Sequence, residues 1–156
     1  MYDNFLERLL ETKPGDIIKI HDKDSKILFM ASYYTEHFPE DEYLKVFMSD
    51  GTILEVMPQT KELYFCDDNR RNINRSLISD DGKSLNIDGK KYILQDGNNR
   101  QYIKKLYYGN VEDGEEGCIF SDFIYGDEVW SLAVLDNNQI SDVHARKITA
   151  EECLLV

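Results

Sequence analysis

Three histidines and several close-set carboxylates are the first residues that could do chemistry. His21, Asp22 and Asp24 form the run H-D-K-D. Alternating oxygen donors suit a hard metal ion. A calcium loop, however, needs a third oxygen ligand, a glycine at its sixth position and a distal glutamate, and counting from Asp22 the sixth residue is Ile27. The run fits better as a hairpin turn in which aspartate bonds its own backbone. His37 stands among Glu36, Glu40, Asp41 and Glu42, and an exposed acidic loop accounts for these residues. His144 lies two residues from Asp142, but two groups do not make a catalytic constellation. The phosphate-binding, dinucleotide-binding, nucleophile-elbow and zinc-protease motifs are all absent. The sequence thus predicts no catalytic residue, no metal site and no cofactor.

The longest acidic stretch is N-V-E-D-G-E-E-G, residues 110–117. Glu112, Asp113, Glu115 and Glu116 fit a solvated insertion loop, and the same residues could hold a weakly bound Ca²⁺ or meet a basic partner. Loops carry binding functions more often than strands do. With the preceding Tyr107 and Tyr108, these residues are the candidate partner-binding site. Tyrosines recur also at Tyr33, Tyr34 and Tyr125. Neighbouring tyrosines on a strand place one ring on each face, so one of each pair is expected in the core and the other exposed.

These residues need elements to carry them. Residues 3–12 predict a helix, capped by Asp3, with Phe5, Leu6, Leu9 and Leu10 on one stripe and Pro14-Gly15 as its stop. Beyond it the period changes to two. In E-Y-L-K-V-F-M-S (42–49), Leu44, Val46 and Met48 share one face, predicted to be the inward one. Ser49-Asp50-Gly51-Thr52 predicts a tight primed hairpin, and Pro58 ends the following strand. Residues 67–81 are polar and form a seam. Strands resume at 84–87, with an Asp88-Gly89 hairpin, and continue through 128–135, where Trp130 and Leu132 are expected in the core. Thr149-x-x-Glu152 carries a capping-box signature before an apolar tail.

E-Y-L-K-V-F-M-S-D and E-V-W-S-L-A-V-L-D echo each other, since Glu42 to Asp50 and Glu128 to Asp136 are both separations of eight. Gly15 to Ile20 is echoed by Gly82 to Ile87, with 19 more residues between the two anchors in the second copy. The expected fold is mainly β: antiparallel meanders forming a sandwich or partly open barrel, with an N-terminal helix. The chain reads as a single domain, 1–156, with candidate pseudo-repeated halves at 14–66 and 82–149.

The order L-x-x-x-x-P-G-D (Leu10 to Asp16), the E-Y-L-x-V strand with its acidic-glycine turn, and the late Y-x-D-E-x-W-S-L-x-V strand resemble the bacterial family known as domain of unknown function 4178. The resemblance covers most of residues 5–149. Tyr43 stands where that family often has a tryptophan. It implies a small β-rich domain of unassigned activity, sometimes associated with envelope-stress gene neighbourhoods, and it assigns no catalytic residue.

Composition narrows the function classes. Thirty acids against 18 bases give a formal charge of −12, which repels nucleic-acid phosphates and anionic membranes. No apolar run approaches the roughly 20 residues of a membrane helix. The N-terminal segment lacks signal-peptide character, and Cys66, Cys118 and Cys153 are widely spaced and odd in number, as reduced thiols are in a cytoplasmic protein. The leading expectation is a cytoplasmic, non-enzymatic interaction or regulatory module with a protein partner, no direct nucleic-acid binding and no membrane insertion. One alternative is an acidic nucleic-acid mimic that inhibits a DNA-binding protein. Against it, Lys19, Lys45, Lys104 and Lys105 occupy strand faces while acids gather in turns. The other is a small-ligand binder or enzyme using a cleft between the two halves.

Overall fold

The computed structural model describes residues 2–67, 73–110, 118–134 and 140–156. One helix, α1 (Tyr2–Leu10), precedes β1 (Ile17–Ile20), β2 (Lys23–Thr35), β3 (Tyr43–Met48), β4 (Ile53–Met57) and β5 (Glu62–Cys66). A short 3₁₀ turn (Arg75–Leu77) leads to β6 (Ser84–Ile87), β7 (Lys90–Tyr108), β8 (Ile119–Tyr125), β9 (Glu128–Val134) and β10 (Ile140–Ile148). A second 3₁₀ turn (Ala150–Glu152) precedes β11 (Cys153–Leu155). The fold is mainly β and antiparallel, and among the described residues no helix is long and apolar enough to cross a membrane.

The strand order is β11-β1-β2-β3-β4-β5-β10-β9-β8-β7-β6, and β2 also pairs with β7. That extra pairing closes β2 to β5 and β7 to β10 into an eight-stranded barrel. The long strands make closure possible by changing partners along their length. β2 pairs with β1 through residues 23–26 and with β7 through residues 30–35. β7 pairs with β6 through residues 90–93 and with β2 through residues 101–108. Register shifts within β2 and β7 mark the irregularities that bend strands around a barrel. The stretches 14–66 and 82–149 therefore meet twice in one closed sheet, at β2–β7 and at β5–β10.

Turn chemistry sets the local registers. His21 and Asp22 both take positive φ (51° and 64°), as do Asp88 and Gly89 (52° and 78°), the signature of two-residue primed hairpins. At the β3–β4 turn only Gly51 is left-handed (φ 86°). The expected primed turn is replaced there by a longer one, in which Asp50 accepts from the Thr52 backbone and from the Ser25 hydroxyl. The two five-strand runs have the same order: a short hairpin strand, then four barrel strands. β1 corresponds to β6 in that order, but residues 42–56 are the third and fourth strands of their run and 128–143 the fourth and fifth of theirs. The 19 extra residues reflect this offset of one strand.

Alternation then sorts the side chains, and it sorts them differently from expectation. Leu44, Val46, Met48, Leu54, Val56 and Leu63 are buried on the outside of the barrel. There α1 covers them with Phe5 and Leu9, and β1 with Ile18 and Ile20. Leu10, expected on the same stripe, is exposed. Trp130 and Leu132 are buried too, but in a second outer cluster with Leu85, Ile87, Tyr92, Phe123 and Ile73. The seam thus contributes Ile73 to a core. The Thr149–Glu152 capping box forms, and the tail beyond it becomes β11 on the edge of β1.

Gly109 marks a point where the barrel allows no side chain. Its φ is +96°, and a Cβ there would lie 2.5 Å from the Phe29 ring. Gly126 is also left-handed, at +58°, with open space around it. Gly109→Ala is expected to lower unfolding free energy by about 2–4 kcal/mol and Gly126→Ala by about 1 kcal/mol, read by chemical denaturation. Equal losses would contradict the close approach of β7 to β2.

Candidate functional site

The other face of every barrel strand points inward. Phe29, Ala31 and Tyr33 of β2 pack with Tyr43, Phe47, Met57 and Ile103, filling part of the interior. Ile53, Cys66 and Ala145 form a second inner apolar patch. Between and beyond them lies a cavity of about 620 Å³. Its rim includes Phe38, Asp41, Gln59 and Thr60 from the β2–β3 and β4–β5 connections, all exposed.

Cross-strand register brings polar residues together inside this cavity. Lys45 of β3 pairs with Glu55 of β4, and their charged groups approach to 3.7 Å. Lys45 is 6% exposed, and its ammonium also lies 5.6 Å from the centre of the Tyr33 ring. On the opposite wall Asp122 of β8 pairs with Ser131 of β9, whose hydroxyl donates to it. The Tyr43 hydroxyl donates to Gln101 Oε1, joining β3 to β7 across the interior. Apolar wall area comes from Val129, Ala133 and Val143, among others. The surface is therefore amphipathic, with its charge concentrated on a few residues.

Burial sets the electrostatics. Removal from water pushes the Asp122 carboxyl up to about 6; the nearby charges of Glu55 and Asp96 add to this, against the Ser131 hydroxyl and the Lys45 ammonium. Burial likewise holds the Tyr43 hydroxyl well above the ordinary tyrosine range. It pushes Tyr64 up to about 12, helped by its bond to Glu62. At the rim His37 Nδ1 lies 2.8 Å from Asp96 Oδ1, and the His37 backbone donates to Asn99. This network fastens the β2–β3 connection to β7.

No family model, no curated protein and no solved structure matches the chain.

The barrel interior takes up few of the residues that sequence spacing singled out. His21 bonds Glu152 at 2.7 Å on the outside, at the turn between β1 and β2. His144 stacks on Trp130, ring centroids 4.6 Å apart, beside a smaller outer pocket of about 160 Å³. Asp142 shares that outer face but makes no relay; it accepts from the Ile73 backbone. Tyr107 and Tyr108 are both half-buried against the first outer cluster, and Tyr108 bonds Thr12. The expected division into one core and one exposed ring does not hold for this pair. Glu112, Asp113, Glu115 and Glu116 lie outside the described residues. Among the described residues no group of three metal-ligating side chains occurs.

Sequence spacing passed over Tyr43, Lys45, Glu55, Gln101, Asp122 and Ser131. An inward Leu44 puts Lys45 on the opposite, outer strand face and the acids gather in turns, whereas Lys45, Glu55 and Asp122 all face the cavity. The signal was present in the hairpins. Opposite charges at facing, same-side positions (Lys45, Glu55) are favourable pairs in a sheet, and both faces of β3 are largely buried.

The raised Asp122 carboxyl makes stability pH-dependent in a definite sense. A group whose folded value exceeds its unfolded value opposes folding when ionised. The cost is fully present above about pH 6 and is relieved as pH falls toward the unfolded value near 4. Asp122→Asn is therefore expected to stabilise the protein at pH 7.5 by roughly 2 kcal/mol, with the gain fading toward zero at pH 4. Thermal denaturation across this range reads it; a gain that does not vary with pH, or a loss, would contradict the buried position.

Proposed function

We propose that the protein binds a small amphipathic molecule inside the barrel, between the two runs of strands. The observation that carries this reading is the cavity of about 620 Å³ walled by Lys45, Glu55 and Asp122. Barrels of eight strands either fill their interiors with side chains or hold one small ligand, and ligand cavities fall in the range of about 300–1,000 Å³. Buried charge costs folding energy, and Asp122 keeps that cost without a cation bonded to it. A recognition role accounts for polar groups where a purely structural core would be apolar. The proposal is binding without turnover. Cytoplasmic placement belongs to the same proposal through the three widely spaced free cysteines, and an envelope-stress connection through the family resemblance, which assigns no residue to the cavity.

A second reading, contact with a protein partner, is favoured by a different surface. Leu28 of β2 and Tyr102 of β7 are exposed, and the Tyr102 ring stacks on Tyr34. Exposed aromatic and aliphatic residues of this kind suit protein contacts.

Backbone amide NMR spectra taken against a set of small amphipathic compounds test the main reading. Binders are expected to shift Tyr43, Lys45, Gln101, Asp122 and Ser131, and Ala133→Phe, which fills the cavity, is expected to weaken binding at least tenfold while the spectrum stays dispersed. Shifts confined to the β2–β7 outer face, unaffected by Ala133→Phe, would favour the protein-contact reading instead.

A further inference from the structure

The cavity's charge arrangement narrows the chemistry of what it would hold, and this step rests on the proposed ligand-binding role. Among the described residues Lys45 is the one lysine or arginine lining the cavity, and its ammonium is engaged by Glu55 at 3.7 Å. Glu62 is answered by Lys147 at 2.9 Å, and Asp96 shares a hydrogen bond with His37 at 2.8 Å. Asp122 has no such answer: among the described residues its one hydrogen-bond partner is the neutral Ser131. Asp41 adds a further carboxylate at the rim. The interior therefore has a surplus of negative charge, in a partly desolvated space where charge interactions are stronger than in water. Around Asp122 the wall is apolar and aromatic: Phe120 and Ile124 precede and follow it inward on β8, Val129 and Ala133 flank Ser131 on β9, and Tyr43 faces from β3.

We propose that the barrel takes a small primary or secondary amine on an apolar or aromatic body, with its ammonium seated against Asp122 and its body against the β8–β9 wall. An ammonium supplies the cation that Asp122 lacks and donates hydrogen bonds to it, the stronger class of such bonds. Aromatic rings in the wall add cation–π attraction. A carboxylate ligand would compete with Glu55 for Lys45 and face Asp122 at close quarters, and a neutral ligand would leave the surplus charge unanswered.

Calorimetric titration with three matched series tests the proposal. Phenylethyl, indolylethyl and octyl bodies would each be presented as the amine, the alcohol and the corresponding carboxylate, at pH 7.5. The expected result is that at least one amine binds ten or more times tighter than its alcohol, and that its carboxylate binds more weakly still. Asp122→Asn should remove most of the amine's advantage while leaving alcohol binding within about twofold, and Ala133→Phe should weaken all members of the series that bind. If alcohols or carboxylates bind as tightly as amines, or if Asp122→Asn leaves the amine preference intact, the amine assignment is wrong while the ligand-binding role stands. If none of the nine compounds binds, both fail.

Discussion

The pairing of β2 with β7 is the constraint on which the rest depends. Six register positions, from Met30↔Tyr108 to Thr35↔Gln101, turn a sheet that would otherwise have two long free edges into a ring. Closure leaves no edge along the barrel wall. It also divides the side chains of eight strands into an enclosed set and an outward set, with no freedom to exchange them short of a register slip. Lys45 and Glu55 lie inside because Leu44, Val46, Leu54 and Val56 must lie outside, beneath α1 and β1. Asp122 and Ser131 lie inside for the same reason, with Phe123, Trp130 and Leu132 on the other face.

This arrangement separates the sources of stability from the place of recognition. Most aliphatic burial sits in two clusters outside the barrel, one under the N-terminal helix and one under residues 73–87. Burial of that kind is worth about 25 cal/mol for each Å² removed from water, and it does not depend on what occupies the interior. The barrel can then tolerate a hollow and a few desolvated polar groups. Part of the interior is packed solid by Phe29, Tyr33 and Phe47, which braces the wall where Gly109 passes closest to Phe29. The hollow part opens where the β2–β3 and β4–β5 connections meet, and the His37–Asp96–Asn99 network holds the first of these in place.

Much of the fold was legible in the amino-acid pattern: a single helix ended by Pro14-Gly15, period-two strands, the Asp88-Gly89 hairpin, the capping box at Thr149 and the burial of Leu44 and Trp130. Local chemistry decides those features, so a linear reading can find them. The direction of burial was not legible. Alternation says that Leu44 and Lys45 point oppositely, but whether the apolar side faces into a barrel or out toward a covering helix depends on closure between residues some 70 positions apart. The same ambiguity hid the candidate site. Lys45 and Glu55 look like an exposed cross-strand ion pair until the ring encloses them, and Asp122 looks like one acid among thirty. His21, His37 and His144 drew attention by type, yet two of them serve turns and outer surfaces and the third fastens the rim. The strand echo misled in a smaller way: hairpins with equal spacing align wherever a meander repeats, so residues 42–56 matched a segment one strand out of step.

Closure can be tested without any ligand. Backbone nuclear Overhauser effects between Tyr34 and Tyr102 and between Tyr33 and Ile103, together with slow amide exchange at those positions, report the β2–β7 pairing directly. A closed barrel predicts both the cross-strand contacts and exchange as slow as in β3 and β4. Absent contacts with rapid exchange along residues 101–108 would mean an open sheet, with Lys45, Glu55 and Asp122 on a solvated face and no enclosed site between the two runs.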